Sequence, residues 1–304
     1  MSPPLLRNGV SIDDSFAEAF AMKATRIVIT AQTLQWARHA AVAATGFATS
    51  VIGCGCEAGI ERELGVDETP DGRPGIAVLL FAMSGKELAK QVERRVGQCV
   101  LTCPTTAVFA GIEGGESVPL GKNLRFFGDG WQIAKVIDAK RYWRVPVMDG
   151  EFVAQESTGV VKGVGGGNLL LLARDSDSAL AAAQSAVAAM QGLRNVIMPF
   201  PGGVVRSGSK VGSKYASLSA STNDAFCPSL MGLVAHSELT PETRCVLEIV
   251  IDGLTEADVA AAMRAGLAAG VARGAAGGLL RISAGNYGGK LGPFHFHLHK
   301  LLGP

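Results

Sequence analysis

The feature that most constrains the fold is a duplicated order of secondary-structure elements. Two segments of the 304-residue chain each show the order strand, helix, strand, strand, helix, strand. β-branched and aliphatic runs predict the strands, and apolar residues recurring at helical spacing predict the helices. Two copies of this order predict an α+β protein with two ferredoxin-like lobes, each a sheet with its helices on one face. We expect one lobe, with an insertion, at residues 1–158 and the other at residues 159–304.

The elements of each copy can be read directly from the sequence. In the first copy five of the six elements can be assigned, namely the strand TRIVITA, the helix QTLQWARHAAVAATG, the strand FATSVIGCG, the strand IAVLLFA and the helix GKELAKQVERRVGQCV. In the second copy they are the strand GGGNLLLLAR, the helix DSALAAAQSAVAAMQG, the segment LRNVIMPFPGG as a strand running into a turn, the strand CVLEIVI, the helix TEADVAAAMRAGLAAG and the strand GLLRISAGNY. The turn-rich segment DETPDGRPG precedes the third strand of the first copy.

One acidic residue distinguishes the second copy from the first. Aligning the helix starts of the two copies puts Glu248, in the apolar strand CVLEIVIDGL, opposite Leu79. A packing role alone favours the same residue class in both copies, so Glu248 is a candidate for chemistry. Strand alternation places Val246, Glu248 and Val250 on one face, which is the uncovered face if helices pack on the other. The alternative is an idle glutamate on a solvated sheet face, which is common.

Two loops carry groups suited to binding anions or polar ligands. The segment VVRSGSKVGSK combines small residues with Arg206, Lys210 and Lys214, a combination that can cradle carboxylates or phosphates. It is not a Walker A motif, because its order is Gly-Ser-Lys and no periodic helix follows. The segment SAGNYGGKLG follows a strand and presents Asn286, Tyr287 and Lys290. An ordinary solvated loop is the alternative for each.

The histidines and cysteines give weaker indications. His295, His297 and His299 alternate in HFHLHK, and on a strand they would share a face that could bind a metal ion. No nearby carboxylate or thiol supplies a fourth ligand, so the polar face of an edge strand is favoured and no metal is expected. The six cysteines include no CxxC pair, and free thiols fit a reducing cytoplasm.

Composition excludes several other classes of protein. A net charge of +1 gives no electrostatic case for nucleic acid or for an anionic membrane. No apolar run approaches the roughly 20 residues that a membrane helix needs. The N-terminal residues include acidic side chains and lack a signal peptide's apolar segment, so export is not expected. We therefore expect a cytoplasmic protein.

Rare motifs along the chain together indicate a family. They are, in order, FAEAF, ETPDGRPG, FFGDG, PFPGG, SKVGSK, ASTNDAFCP, CVLEIVIDGL and ISAGNYGGKLG. With these motifs the chain closely resembles the formylmethanofuran:tetrahydromethanopterin formyltransferases, over about residues 8–301. The resemblance implies a two-lobed, duplicated ferredoxin-like fold and a homotetramer. It also implies transfer of a formyl group between the amine of a furan-containing coenzyme and N5 of tetrahydromethanopterin, both bound as substrates, with no prosthetic group.

The resemblance also suggests a host and a set of partners. The nearly neutral chain, rich in Ala and Gly, differs from archaeal members rich in surface glutamate and suggests a bacterial relative of the kind methylotrophs use to oxidise formaldehyde. There the chain resembles one subunit of a formyltransferase/hydrolase complex that uses methylofuran. The physiological direction stays open. A non-catalytic subunit that only holds a coenzyme is the alternative function.

Residue roles follow from the resemblance and from charge. The resemblance implies that Glu248 is the catalytic acid, acting in a direct transfer. Substrate-binding candidates rest on motif membership and comprise Arg206, Ser209, Lys210, Ser213, Lys214, Asn223, Asp224, Asn286 and Lys290. The cationic members would anchor the acidic tails of the coenzymes, and the asparagines would contact the pterin or the formyl oxygen. A ping-pong transfer through Cys227 or Cys245 is the alternative mechanism.

Overall fold

The structure is a computed structural model and describes residues 5–303. Its strands are β1 Leu5–Arg7, β2 Val10–Ile12, β3 Phe16–Thr30, β4 Glu57–Leu64, β5 Gly75–Ala82, β6 Ala107–Ala110, β7 Ser117–Pro119, β8 Ile133–Ile137, β9 Lys140–Val147, β10 Gly150–Gln155, β11 Ser157–Gly159, β12 Val161–Ala173, β13 Val196–Ile197, β14 Lys210–Val211, β15 Ala220–Ser221, β16 Cys245–Gly253, β17 Leu279–Ser283 and β18 Phe294–His297. Its helices are α1 Leu34–Thr45, α2 Val51–Cys54, α3 Gly85–Arg95, α4 Gly121–Leu124, α5 Ser176–Gln191, α6 Glu256–Arg273 and α7 Leu298–Leu301.

The chain divides into two compact units. The central unit is Met22–Gly163, and the terminal unit combines the chain up to Ala21 with the chain from Val164 onward. The boundary between Gly163 and Val164 lies near the expected boundary between residues 158 and 159. The first residues differ from the expectation of a continuous N-terminal lobe, because they pack in the terminal unit. There β2 pairs in parallel with β17, and the start of β3 pairs with β18.

The central unit has the ferredoxin-like arrangement that the sequence predicts. Its sheet order is β6, β3, β5, β4, and each of these neighbouring pairs is antiparallel. The helices α1 and α3 pack on one face, where the core includes the buried side chains of Ile76, Val78 and Leu80. Residues 117–159 add the strands β7 to β11 and the short helix α4 to this unit.

The terminal unit repeats this arrangement. Its sheet order is β17, β12, β16, β13, again with antiparallel neighbours, and its elements follow each other as β12, α5, β13, β16, α6, β17. The helices α5 and α6 cover one face through buried alanines and Met190, Met263 and Leu267. The predicted α+β fold, a duplicated ferredoxin-like arrangement in two lobes, is confirmed.

Side-chain caps explain why the four long helices begin where they do. Thr33, Ser84, Asp175 and Thr255 each precede a helix, and each side-chain oxygen accepts a hydrogen bond from a backbone N–H of the first turn. Such caps satisfy donors that the helix itself leaves unpaired. The predicted starts of these helices lie within two residues of the observed ones for this reason.

Two local predictions were wrong. The segment at residues 47–55 was expected to be a strand, but Ser50 caps the short helix α2 and Gly55, at φ 77°, ends it, so β4 begins only at Glu57. His299 lies on α7 rather than on a strand with His295 and His297.

Candidate active site

Glu248 lies in the middle of β16, on the sheet face away from α5 and α6. The aliphatic residues of β16 favour an extended backbone, and the strand is paired on both edges with β12 and β13. Ile249 and Ile251 point toward the helices and are completely buried in the core of the terminal unit. Because side chains alternate along a strand, Glu248 points to the opposite face. The alternation predicted from the sequence is confirmed.

This opposite face of the sheet is covered by other parts of the terminal unit. Leu170 of β12 lies opposite both Glu248 and Ser283 in the antiparallel register, so the three side chains form one row. Two positions before Leu170, Asn168 holds the start of the loop after β17. Its Oδ1 accepts a hydrogen bond from the Gly285 N–H at 2.6 Å, and its Nδ2 donates to the Gly285 carbonyl at 3.1 Å. Glu248 therefore does not lie on an open, solvated sheet.

A small cavity of about 30 Å³ opens beside Glu248. Its lining comprises Leu170, Val205, Arg206, Ser207, Gly208, Asn223, Phe226, Cys227, Val246, Leu247 and Glu248. The structure thus brings two of the predicted binding residues, Arg206 and Asn223, to the predicted catalytic residue. A cavity of this size accommodates a water molecule or one small group of a ligand, because a single water needs roughly 10–15 Å³ of such space.

The environment of Glu248 favours a neutral carboxyl group. Desolvation by the surrounding protein raises the pKa of Glu248 to about 7. The residue keeps part of its surface exposed, so the carboxyl group is enclosed but remains reachable. Within residues 5–303, no hydrogen bond or ion pair involves this side chain. A carboxyl group with such a pKa can donate a proton and accept one again near neutral pH.

Two further predicted residues, Lys210 and Asp224, form an ion pair. Lys210 Nζ lies 2.6 Å from one carboxylate oxygen of Asp224, and His236 Nε2 lies 3.2 Å from the other. Hydrogen bonds from Lys210 and then His236 lower the pKa of Asp224 to about 2. In this structure the charge of Lys210 is therefore already balanced by a carboxylate. The pair joins the segment after Val205 to the segment around Asn223.

The other predicted binding residues have different surroundings. Arg206, Ser209, Lys214 and Lys290 are exposed. The Ser213 hydroxyl oxygen accepts a hydrogen bond from the Tyr215 N–H at 3.0 Å, an interaction that shapes its own turn. Exposed cations on loops are available to the carboxylate or phosphate groups of a ligand, whereas Ser213 has a structural partner.

Asn286 holds a loop in place. Its Oδ1 accepts a hydrogen bond from the Gly288 N–H at 3.1 Å, and its Nδ2 donates to the Phe16 carbonyl at 3.3 Å. A second, longer bond of 3.4 Å joins Nδ2 to the Ser15 hydroxyl. The side chain is nevertheless exposed, but these contacts give it a role in fixing the loop after β17 to the start of β3.

Sequence reasoning missed Glu18, which is almost completely buried with 1 % of its surface exposed. Its carboxylate accepts four backbone hydrogen bonds, from the N–H groups of Tyr287, Gly289, Leu291 and Gly292, at 2.6–2.8 Å. Burial alone would raise the pKa of Glu18, but these four hydrogen bonds outweigh it and lower the pKa to about 2. The motif FAEAF, an acidic residue within an apolar strand, was the available signal.

Tyr287 is a second residue that the predictions left without a role. Burial raises the pKa of its phenol, a side-chain hydrogen bond with Ser209 lowers it, and the negative charges of Glu248 and Glu18 raise it further. The ring also packs against Phe20, with 6.0 Å between the ring centroids. Tyr287 therefore packs on Phe20 and lies within electrostatic range of Glu248 and Glu18.

The two cysteines of the alternative mechanism differ in position. Cys227 lines the cavity beside Glu248, and its thiol lies 3.3 Å from both the Thr222 hydroxyl and the Asn223 carbonyl oxygen. Cys245 is at the start of β16, and burial, followed by the charge of Asp175, raises the pKa of its thiol. A raised pKa disfavours the thiolate that a nucleophile requires. Of the two, Cys227 alone is placed to face a substrate at Glu248.

In the part of the chain that the structure describes, no three His, Cys, Asp or Glu side chains are grouped as metal ligands would be. None of the helices described there is long and apolar enough to cross a membrane.

Comparison with known proteins gives the same family over the whole length of the chain. The profile of the family described as formylmethanofuran-tetrahydromethanopterin formyltransferase matches residues 5–147, and the profile of its proximal lobe matches residues 150–301. The formylmethanofuran–tetrahydromethanopterin formyltransferase of Methylococcus capsulatus is 67% identical over 298 residues, which are 98% of this chain and 100% of that protein.

Two solved structures are similar in fold and sequence. A chain of the formyltransferase/hydrolase complex from Methylorubrum extorquens, crystallised with methylofuran, has a TM-score of 0.96 and 53% identity, covering 98% of this chain and 99% of that one. The formyltransferase from Methanosarcina barkeri has a TM-score of 0.91 and 47% identity, covering 98% and 100%. The bacterial and archaeal structures thus share the fold of this chain.

Proposed function

The chain belongs to the formylmethanofuran-tetrahydromethanopterin formyltransferase family, and we propose that it moves a formyl group between N5 of tetrahydromethanopterin and the amine of methanofuran or methylofuran. The observation that carries the catalytic part of this proposal is Glu248. Its carboxyl group is partly enclosed beside a small cavity, and desolvation raises its pKa to about 7. Formyl transfer between two amines needs a group that exchanges a proton near neutral pH.

The proposed reaction is a direct acyl transfer. The nitrogen of the acceptor coenzyme attacks the formyl carbon, a new C–N bond forms, and the carbonyl oxygen becomes an oxyanion. Neutral Glu248 gives its proton to the nitrogen of the departing coenzyme as the old C–N bond breaks. The carboxylate then takes the proton that the attacking nitrogen must lose, and the enzyme returns to its starting state. No covalent intermediate is needed when both coenzymes are held side by side.

Charged and polar groups around the cavity support the binding part of the proposal. Arg206 and Asn223 line the cavity itself, and Lys214 and Lys290 are exposed on loops of the same unit. Arginine and lysine bind carboxylates and phosphates through charge-assisted hydrogen bonds. We assign Arg206, Lys214 and Lys290 to the acidic tails of the coenzymes and Asn223 to the pterin or the formyl group. Lys210 contributes if a ligand competes with Asp224 for it.

The assembly and location are also proposals. A chain with 53% identity is part of the Methylorubrum extorquens formyltransferase/hydrolase complex, and this supports assembly of the present chain with hydrolase subunits. Self-association as a homotetramer is proposed on family membership. A cytoplasmic location is supported by the cysteines, all of which are free thiols.

Replacement of Glu248 by glutamine tests the function. With both coenzymes, we expect Glu248→Gln to reduce kcat by about 10² to 10⁴, the usual size of acid–base catalysis, with little change in KM. Glu242→Gln is the matched control, because Glu242 is an exposed glutamate of the same unit outside the cavity. Near-wild-type turnover of Glu248→Gln would remove Glu248 from the mechanism.

The same assay separates the alternatives. A wild-type chain without formyl transfer to either coenzyme would indicate a subunit that only holds a coenzyme. A ping-pong transfer predicts that Cys227→Ser is inactive and that a thioester on Cys227 can be trapped with one coenzyme alone. We expect Cys227→Ser to retain turnover, because direct transfer uses no thiol.

A further inference from the structure

We propose that Glu18 is a positioning residue that holds the loop Tyr287–Gly292 in the shape that places Tyr287 on the sheet face that carries Glu248. This inference deepens the proposed function and rests on it, since the positioning matters only if Glu248 takes part in the reaction. It assigns a task to two residues, Glu18 and Tyr287, that lie outside the predicted site.

The contact between Glu18 and the loop requires an ionised carboxylate. Oε2 accepts from the N–H groups of Tyr287 and Gly289 at 2.7 and 2.8 Å, and Oε1 accepts from those of Leu291 and Gly292 at 2.6 and 2.7 Å. All four groups are donors, so each must meet an acceptor. An amide in place of the carboxylate would turn one acceptor oxygen into a donor facing two other donors, leaving buried N–H groups unpaired.

The backbone of the loop has little conformational freedom once its N–H groups donate to Glu18. Gly288 and Gly289 have φ of 78° and 70°, in the left-handed region that side chains disfavour. A Cβ atom on Gly292 would lie 2.3 Å from the Ala19 carbonyl oxygen, so the loop passes directly against the β3 backbone. Such tight, converging N–H groups form an anion-binding concavity, here occupied by a side chain of the same unit.

The loop that carries Tyr287 starts on the sheet face that carries Glu248. The loop begins at Gly285, which Asn168 holds on the face of the sheet that carries Glu248. The Tyr287 ring packs on Phe20, its phenol interacts with Ser209, and its pKa responds to the charge of Glu248. Ser209 lies four residues after Val205, whose backbone pairs with that of Glu248. The loop that carries Tyr287 therefore starts on the sheet face of the catalytic carboxyl group.

Other titratable and charged groups near these carboxylates must be considered in any test by pH. Arg206 and Cys227 line the same cavity as Glu248, and the phenol of Tyr287 interacts electrostatically with Glu248 from the loop. His295 lies opposite Glu18 in the pairing of β18 with β3. Since none of them is changed in the variants below apart from Tyr287, their contribution to the pH profile stays constant between proteins.

The test compares the pH dependence of kcat in Glu18 and Tyr287 variants of the full chain, with both coenzymes. We expect Glu18→Gln to lower kcat by about ten- to a hundredfold, the cost of a small misplacement at a reacting centre. The limb of the kcat–pH profile that reflects the titration of Glu248 should be absent in Glu248→Gln. In Glu18→Gln this limb should move to lower pH, because water that reaches Glu248 stabilises its charged form. Tyr287→Ala should move it likewise, and Tyr287→Phe, which keeps the ring, should move it less.

Glu61→Gln is the matched control for a purely structural effect. Glu61 is a comparably buried glutamate, 6 % exposed, in the central unit, where its carboxylate binds Arg26. Its variant should lose stability without moving the limb. Hydrogen exchange gives a second measurement, since peptides covering residues 286–293 should exchange faster in Glu18→Gln than in Glu61→Gln.

The possible results separate this inference from the proposed function. Wild-type kcat and limb position in Glu18→Gln, or a loss of stability alone as in Glu61→Gln, would overturn the inference while an inactive Glu248→Gln still supports the function. If Glu18→Gln does not fold, Tyr287→Ala decides, because an unmoved limb overturns the positioning role and a moved one supports it. An active Glu248→Gln would instead overturn the function on which both rest.

Discussion

The backbones of Glu248 and Val205 exchange two hydrogen bonds, from the Val205 N–H to the Glu248 carbonyl at 2.8 Å and from the Glu248 N–H to the Val205 carbonyl at 2.9 Å. This pair fixes the polar segment that follows Val205 to the strand that carries the candidate catalytic carboxyl group. Arg206 therefore lines the same cavity as Glu248. The segment that contains Arg206 and the strand that carries Glu248 are thus joined by backbone hydrogen bonds within the terminal unit.

The raised pKa of Glu248 predicts a specific dependence of stability on pH. The pKa rises from 4.5 to about 7 on folding, so the folded chain binds more protons than the unfolded chain between these values. The free energy of unfolding should therefore fall as pH rises through this window. Glu248→Gln should remove this fall. Its free energy of unfolding, relative to that of wild type, should therefore increase by up to about 3 kcal/mol between pH 5 and pH 8.

Urea unfolding of wild type, Glu248→Gln and the exposed control Glu242→Gln at both pH values measures this effect. A variant whose stability follows wild type across the window would show that the carboxyl group is not desolvated. Because the measurement needs no coenzyme, it tests the environment of Glu248 separately from its catalytic role.

Glu18 should contribute to stability with the opposite sign. Its pKa falls from 4.5 to about 2 on folding, so its contribution is present above pH 4.5 and is lost as pH falls toward 2. Glu18→Gln should therefore be destabilised by about 2–4 kcal/mol at pH 7, the cost of unpaired buried N–H groups, and should lose less further stability on acidification. Parallel unfolding curves for variant and wild type between pH 5 and pH 3 would contradict this.

Lys210 should affect binding more than turnover. It is the cation paired with Asp224 at 2.6 Å, close to the segment that lines the cavity. We expect Lys210→Met to raise KM for the acidic coenzymes by about three- to tenfold, equivalent to about 1 kcal/mol, with a smaller change in kcat. The effect should shrink as salt is added, because screening weakens exposed charges. Lys300→Met, which removes an exposed lysine on α7, is the control. A salt-independent change in KM would argue against an electrostatic role.

The tight passage of the loop at Gly292 can be tested by adding a single methyl group. A Cβ on Gly292 would lie 2.3 Å from the Ala19 carbonyl oxygen, whereas a Cβ on Gly288 would meet nothing within 4 Å. Gly292→Ala should cost about 1–3 kcal/mol through steric overlap. Gly288→Ala should cost only the roughly 1–2 kcal/mol of its left-handed backbone. Thermal unfolding measures both, and equal stability of Gly292→Ala and wild type would show that the loop lies farther from β3.

The sequence by itself determined the duplicated order of elements, the sheet faces of β16 and the choice of Glu248. Each of these depends on local periodicity or on the comparison of the two copies. The difference between Leu79 and Glu248 needs only the printed chain. The caps at Thr33, Ser84 and Thr255 are equally local, so the starts of the long helices could be predicted.

The tertiary structure alone decided the role of Glu18, the cover over Glu248 and the membership of the first residues in the terminal unit. Glu18 and its four hydrogen-bond donors lie 269 to 274 residues apart in sequence. No local pattern encodes which buried carboxylate meets which backbone N–H groups across such a distance. The pKa of Glu248 has the same origin, because desolvation depends on the segments that pack around a strand rather than on the strand itself.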